Sequence, residues 1–183
     1  TYPYGEYVLS GSSVGVWVAA IDKSYGKAEI TEPIYYSVES DNTTVGQAVI
    51  NNDGYATLYG DGDVYFSAVT GEAYGSTMLH SVSNPDSIVI KNESDGSEVS
   101  SLSVSSGQTV YLTADSVYQN INLTDSDEAY SWSVSDENLG TISADGTFIP
   151  GNVSGTGTIN VSAGSVSASV NLTVSAGPEQ IPT

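Results

Sequence analysis

From Tyr130 onward, apolar and polar residues alternate along the chain. Trp132 and Val134 alternate with Ser131, Ser133 and Ser135, and Val166, Ala168, Val170, Leu172 and Val174 alternate with Ser167, Ser169, Asn171 and Thr173. A period of two is that of a strand with one face in a core and the other in water. Between these runs, Ala144-Asp145-Gly146-Thr147 is a hairpin signal, because glycine takes a positive φ at little cost. Phe148 then starts the return, and Gly155-Thr156-Gly157 reads as a turn into Ile159, Val161 and Ala163. The stretch Tyr130–Val174 is thus predicted to be short strands separated by turns, with no amphipathic helix.

The same alternation runs through the earlier chain. Tyr7-Val8-Leu9 is a first strand, and Val14, Val16, Val18 and Ala20 alternate, with Trp17 on the opposite face. Further strands are expected at Ile34-Tyr36-Val38, at Ala48-Ile50 and at Val64-Phe66-Ala68. A closing run puts either Met78, His80 and Val82 or Thr77, Leu79 and Ser81 inside. Ser83-Asn84-Pro85-Asp86 breaks the pattern, and the alternation restarts at Ile88 and Ile90. The expected domains are therefore 1–84 and 85–183. In the second, Leu102, Val104, Val110, Leu112 and Ala114 alternate, and Asp115–Asp127 is expected to be a long polar excursion.

The two halves repeat one another. Tyr36-Ser37-Val38 matches Trp132-Ser133-Val134, and Ile50 with Asp53-Gly54 matches Ile142 with Asp145-Gly146 at the same spacing. Gly62–Ala68 matches Gly157–Ala163, and Gly11–Val14 matches Gly107–Val110.

These motifs carry a family resemblance. Trp132-Ser133-Val134, Gly140-Thr141-Ile142, Asp145-Gly146, Gly155-Thr156-Gly157 and the closing strand Val170–Val174 resemble the bacterial immunoglobulin-like domain, group two, which also occurs in invasin- and intimin-like adhesins. The resemblance covers Ser87–Ser175 well and Glu6–Val82 more weakly; there Tyr36 stands for the strand Trp, and Gly60-Asp61-Gly62 for the Gly-Thr-Gly segment. It implies an all-β fold of two tandem immunoglobulin-like Greek-key β-sandwiches. It also implies a non-enzymatic structural or adhesive module of a prokaryotic surface protein, since the family shares no catalytic residues. Similar domains follow the catalytic region of secreted phosphodiester glycosidases, so the alternative is an accessory spacer or carbohydrate-binding module of a secreted carbohydrate-active enzyme.

Composition narrows the partners. In 183 residues there are 3 Lys and Arg against 22 Asp and Glu, a net charge of −19. The cations are Lys23, Lys27 and Lys91, too few to neutralise a row of phosphates, which excludes nucleic acid as a partner. An anionic membrane surface would repel the chain, and no apolar run reaches membrane-spanning length, so no membrane insertion is expected. The 39% of apolar residues and their alternation argue against disorder. Cysteine is absent, so no disulfide joins the sheets, which points to a prokaryotic surface protein. The chain starts at Thr1, not Met, so either removal of a signal peptide or excision from a longer chain is expected, with an extracellular or cell-surface location.

Candidate chemistry is sparse. His80 is the sole histidine, so a Ser-His-Asp triad would have to use it, and the plainer reading is an ordinary strand residue. Zinc lacks ligands. Asp61, Asp63, Asp125, Asp127 and Glu128 are the acids from which a calcium site would be built, with Asp136-Glu137 a weaker candidate; turn chemistry and solvation explain the same residues. No other cofactor is expected. Asn42, Asn92, Asn122, Asn152, Asn160 and Asn171 head Asn-x-Ser/Thr sequons, the sites of glycan attachment if the source modifies its surface proteins. Tyr2, Tyr4, Tyr7, Tyr35, Tyr55, Tyr59 and Tyr65 crowd the first half, as a sugar platform or simply as good strand formers. Tyr2 and Tyr4 also give the N-terminal tail an alternating face suited to strand addition, with Tyr7 a further candidate assembly residue. The expected partner is then a second copy, joined head to tail into a filament, or a surface polysaccharide or protein.

Overall fold

The alternating runs become strands in a computed structural model of the protein, which describes residues 6–16, 20–21, 27–28, 30, 33–40, 47–50 and 54–177. The chain divides into two units, Thr1–Ser83 with Leu123–Ser126, and Asn84–Asn122 with Asp127–Thr183. Among the described residues no helix is long and apolar enough to cross a membrane.

The first unit holds β1 (Glu6–Leu9), β2 (Ser13–Gly15), β3 (Ala20–Ile21), β4 (Lys27–Ala28), β5 (Tyr35–Ser40), β6 (Gln47–Ile50), β7 (Tyr55–Tyr59), β8 (Gly62–Thr70) and β9 (Ala73–Val82). One sheet runs β1-β9-β8-β5, the other β2-β7-β6, and β3 and β4 form a small hairpin. Val8, Val16, Ala56, Leu58, Val64, Phe66 and Leu79 make the core, with Val14 and Val38 packed against it. In β9, Leu79 and Ser81 are buried and Met78 and His80 are half-buried, which favours the Thr77–Leu79–Ser81 face, although Val82 at the strand end is buried as well. Trp17 and Val18 lie outside the described residues.

The second unit holds β10 (Ser87–Asn92), β11 (Ser101–Ser105), β12 (Val110–Tyr118), β13 (Ile121–Asn122), β14 (Ser131–Val134), β15 (Gly140–Ile142), β16 (Thr147–Pro150), β17 (Gly155–Ala163) and β18 (Val166–Ser175). Its sheets run β10-β12-β16-β15, with β13 on β12, and β11-β18-β17-β14. Phe148, Ile159, Val161, Val170, Leu172 and Val174 are almost wholly buried between them.

These strand orders define the fold. In each unit a short early strand pairs in parallel with the last, β1 with β9 and β11 with β18, while the other long pairings are antiparallel. Two sheets ordered this way are the immunoglobulin-like Greek-key sandwich. The units share it strand for strand: β1 and β11, β2 and β12, β5 and β14, β6 and β15, β7 and β16, β8 and β17, and β9 and β18 occupy like places. In this matching β3, β4, β10 and β13 have no counterpart among the described residues.

One shared joint shows why the repeat reads so clearly. Gly54 and Gly146 both have φ +81°, and their carbonyls accept from Val16 (2.6 Å) and Leu112 (3.1 Å). A side chain at Gly54 would come within 2.8 Å of the Val16 carbonyl oxygen, and one at Gly146 within 2.0 Å of the Leu112 carbonyl oxygen. The glycine therefore serves in both units to lay one sheet's middle strand against β2 or β12.

Three expectations are corrected. First, Gly62 does not stand with Gly157. Thr70 faces Ala73 across one hairpin turn and Ala163 faces Val166 across the other, so Gly62 stands with Gly155 and Phe66 with Ile159. The pairs Tyr36–Ala68 and Trp132–Val161 then coincide, which keeps Tyr36 in the Trp132 place. An even shift leaves every residue on its own face, so the misalignment preserved the pattern. Second, Gly155-Thr156-Gly157 is the start of β17, not a turn. A Cβ on either glycine would lie 2.7 Å from a Leu139 methyl, and Leu139 is buried there. Third, the polar excursion begins later than Asp115, because β12 runs on to Tyr118. Ser116, fully buried, shares a hydrogen bond with the Tyr130 hydroxyl at 2.8 Å, which satisfies a polar residue inside the core.

Candidate functional site

The feature most open to function is the border of the first unit where its two sheets meet. Leu123–Ser126 lies along β1. Leu9 donates its N–H to the Thr124 carbonyl (2.9 Å), Thr124 donates to the Tyr7 carbonyl (2.9 Å), and Val8 and Thr124 form a parallel bridge. The Thr124 hydroxyl donates to the Glu6 carboxylate. Ser126 N–H donates to the Ser12 hydroxyl and Ser13 N–H to the Ser126 hydroxyl, both at 3.1 Å. Leu123 is buried. Strand edges attract further strands, and the outer edge of β1 is covered in this way. Beside it opens a cleft of about 210 Å³ lined by Glu6, Val8, Val14, Gly15, Thr77 and Leu79 among others.

The expected site residues disperse. Asp61 accepts from Ser83 N–H (2.5 Å), and Asp63 pairs with His80 Nδ1 (2.5 Å). The Tyr7 ring meets the His80 ring edge-on, with centroids 4.9 Å apart. His80 is thus held by Asp63 and Tyr7. Asp125 belongs to the first unit and Asp127 and Glu128 to the second. Among the described residues no three acids, histidines or cysteines gather closely enough to hold a metal ion. Asp136 caps a short helical turn by accepting from Asn138 N–H at 2.9 Å, as turn chemistry predicts. In the second unit Lys91 pairs with Asp115 across β10 and β12.

Two exposed carboxylates have perturbed acidity. Asp145 is held below its ordinary value by the Ser143 hydroxyl and then by Thr147, and Asp95 by the Ser97 hydroxyl and backbone. Both are turn acids closing local hydrogen-bond rings, not members of a site.

Among the sequons, Asn122, Asn152 and Asn171 are exposed, and Asn92 and Asn160 are half-buried. The Asn92 amide oxygen accepts from Ser94 N–H at 3.0 Å, and that of Asn152 from Gly177 N–H at 3.1 Å. Asn42 lies outside the described residues, as do Tyr2 and Tyr4. Tyr7 lies in β1, paired with His80 of β9. Within the molecule Glu6–Leu9 is thus paired by β9 on one edge and by Thr124 on the other.

Sequence reasoning missed one surface. Tyr35 and Val69 are cross-strand partners, as are Val69 and Tyr74, and all three are exposed (69%, 40% and 69%). They form an apolar row across β5, β8 and β9. The signal was present as Tyr35 and Tyr74 in alternating runs, but only the register joins them.

Comparison with known proteins follows from this geometry. The described chain is of the immunoglobulin-like β-sandwich class. No protein-family model and no curated protein sequence matches it. Among solved structures it is similar to domains 5-6 of the S-layer protein SbsC, 17% identical over 97% of this chain and 96% of that one, TM-score 0.40. It is similar to invasin, a bacterial integrin-binding protein, 16% identical over 85% of this chain and 34% of that one, TM-score 0.33. It is also similar to a C-terminal 282-residue fragment of intimin, 14% identical over 79% and 51%, TM-score 0.32. The chain covers 26% of the longer SbsC structure of domains 1-6. TM-scores this low leave function and partners to be argued from the chain's own residues.

Proposed function

We propose that the protein is a non-enzymatic, extracellular structural module of a prokaryotic cell surface, whose copies join by strand addition through the N-terminal tail. The observation that carries this reading is the contrast between repeated scaffold and unequal edges. The two units share their strand orders, while chemistry in the interior is limited to serines already hydrogen-bonded: Ser12, Ser81 and Ser116 are the buried polar residues of the described chain. Main-chain edges, not pockets, are where such a scaffold differs from unit to unit. The acidity supports a place in saline surroundings, where charge is screened. Sedimentation velocity over a concentration series tests the reading. Oligomers that grow with concentration and vanish on deletion of Thr1–Gly5 are expected, and a monomer with and without the tail would sink it.

A second reading, an accessory carbohydrate-binding module, draws on the Tyr35–Val69–Tyr74 row, since exposed aromatic faces suit sugar rings. Pull-down on insoluble polysaccharides tests it, with binding lost in Tyr35→Ala and Tyr74→Ala.

A further inference from the structure

The outer face of the β1-β9-β8-β5 sheet has an internal counterpart in the second unit. The hairpins closed by Thr70–Ala73 and by Ala163–Val166 set the two sheets in one register. The row Tyr35–Val69–Tyr74 of the first unit then stands where Ser131–Ser162–Ser167 stands in the second. The next row on the same face, Ser37–Ser67–Ser76, stands with Ser133–Asn160–Ser169, and beyond it Tyr65–Met78 stands with Thr158–Asn171. The second unit's rows hold only serine, threonine and asparagine, the ordinary finish of a sheet face in water. The first unit sets Tyr, Val and Tyr on the same backbone. Cross-strand pairs of aromatic and β-branched residues support a sheet, but they do not cover one another here: Tyr35 and Tyr74 are each 69% exposed and Val69 40%. A contiguous exposed apolar row beside polar groups marks a contact surface. The polar groups are the serine row, in which the Ser37 and Ser67 hydroxyls share a hydrogen bond at 2.6 Å.

We infer that this row and the serine row beside it bind an uncharged polysaccharide chain laid across β5, β8 and β9. The inference rests on the accessory-module reading above and names its ligand class and its contact residues. The row crosses three neighbouring strands, which puts Tyr35 and Tyr74 about 10 Å apart, two strand spacings. Each tyrosine takes the apolar face of one sugar ring, with Val69 filling the space between them. The hydroxyls at the ring edges reach Ser37, Ser67 and Ser76 directly or through water. Tyrosine suits such a face because it offers a large, rigid area with a wettable tip and loses little side-chain freedom. Charge then selects among occupants. Neither row carries a charge, and the charged groups of the face, Glu39 and the Asp63–His80 pair, follow in the rows beyond. The strands of this sheet contain no lysine or arginine. An acidic polysaccharide would therefore be repelled by a chain of net charge −19 with no lysine or arginine on the sheet to offset it. A second copy presenting the same face would bring two such charged bodies together. A neutral glycan meets neither obstacle.

Affinity electrophoresis of the full chain tests the proposal, in gels that hold hydroxyethylcellulose, xyloglucan, β-1,3-glucan or galactomannan, with polygalacturonate as the acidic counterpart. The double variant Tyr35→Ser/Tyr74→Ser writes the second unit's row into the first. Tyr111→Ser removes an exposed tyrosine of the second unit instead, and Tyr35→Phe/Tyr74→Phe keeps both rings. Retardation of the parent chain by at least one neutral polymer, and not by polygalacturonate, is expected. The affinity should fall roughly tenfold or more in the Ser double variant, from the loss of two ring contacts, and stay in the Phe and Tyr111→Ser variants. Should the Ser double variant melt well below the parent, Tyr74→Ser alone carries the same comparison. Equal retardation of the parent and the Ser variant overturns this site and leaves the accessory-module reading standing. Retardation by polygalacturonate as strong as by the neutral polymers overturns the ligand class. No retardation by any neutral polymer overturns the proposal, and the accessory-module reading falls with it if insoluble polysaccharides also fail to retain the chain.

Discussion

Among the described residues the second unit has a strand, β10, with no counterpart in the first, while the two four-stranded sheets and the sheets facing them otherwise follow one plan. β10 covers the edge of β12, buries Ile88 and Ile90 and carries Lys91 to Asp115. In the first unit the β1 edge is covered by Leu123–Ser126. A sandwich border can thus be closed by a full strand or by a short segment from further along the chain. What differs between the units is backbone pairing, which costs little in sequence and changes what the border can bind.

The largest effect that sharpens this contrast is expected at Ile90. Ile90→Ala should cost the second unit about 2–5 kcal/mol, through lost burial and the cavity left behind. Urea denaturation followed by Trp132 fluorescence in a Trp17→Phe background reads it out. A cost near zero would mean that β10 is dispensable and that the contrast with the first unit carries no weight. Next come the joints. Gly54→Ala and Gly146→Ala should each lose at least about 1–2 kcal/mol from the left-handed backbone alone. Gly146→Ala should lose more, because its Cβ would sit 2.0 Å from a carbonyl oxygen against 2.8 Å at Gly54.

Smaller effects test the charge. With a net charge of −19, both units should melt higher as salt rises. Ca²⁺ and Mg²⁺ at matched ionic strength should shift melting equally, since no three acids converge among the described residues; a clearly larger shift with Ca²⁺ would restore a specific site. The smallest effect concerns Asp145. Its carboxyl binds a proton less readily folded than unfolded, so the stabilisation is complete above the ordinary value of 3.8 and fades as pH falls below it. Asp145→Asn should flatten that acid limb in the second unit, and an unchanged acid limb would show that the Ser143 and Thr147 bonds contribute nothing.

Much of the fold was legible because period two and Asp-Gly turns are local signals. β14 to β18 follow the alternation from Trp132 to Val174, and the Gly54–Gly146 equivalence was visible as spacing. What stayed hidden depends on partners distant in sequence. Gly155 and Gly157 look like turn residues until Leu139 is seen to pack on them. Ser116 looks like the start of a loop until the Tyr130 hydroxyl reaches it. Leu123–Ser126 reads as part of the second half, yet its hydrogen bonds go to Tyr7, Leu9 and Ser12. The acids were legible as charge, but their bonds to Ser83, His80 and Ser143 were not.

The central claim is that copies of the chain join through the N-terminal tail. Hydrogen exchange read by mass spectrometry at low and high protein concentration tests it most directly. The account predicts that peptides covering Thr1–Gly5 exchange more slowly as concentration rises, while β10 and β12 of the second unit are unchanged. Exchange at Thr1–Gly5 that is the same at every concentration, in the presence of oligomers, would contradict it.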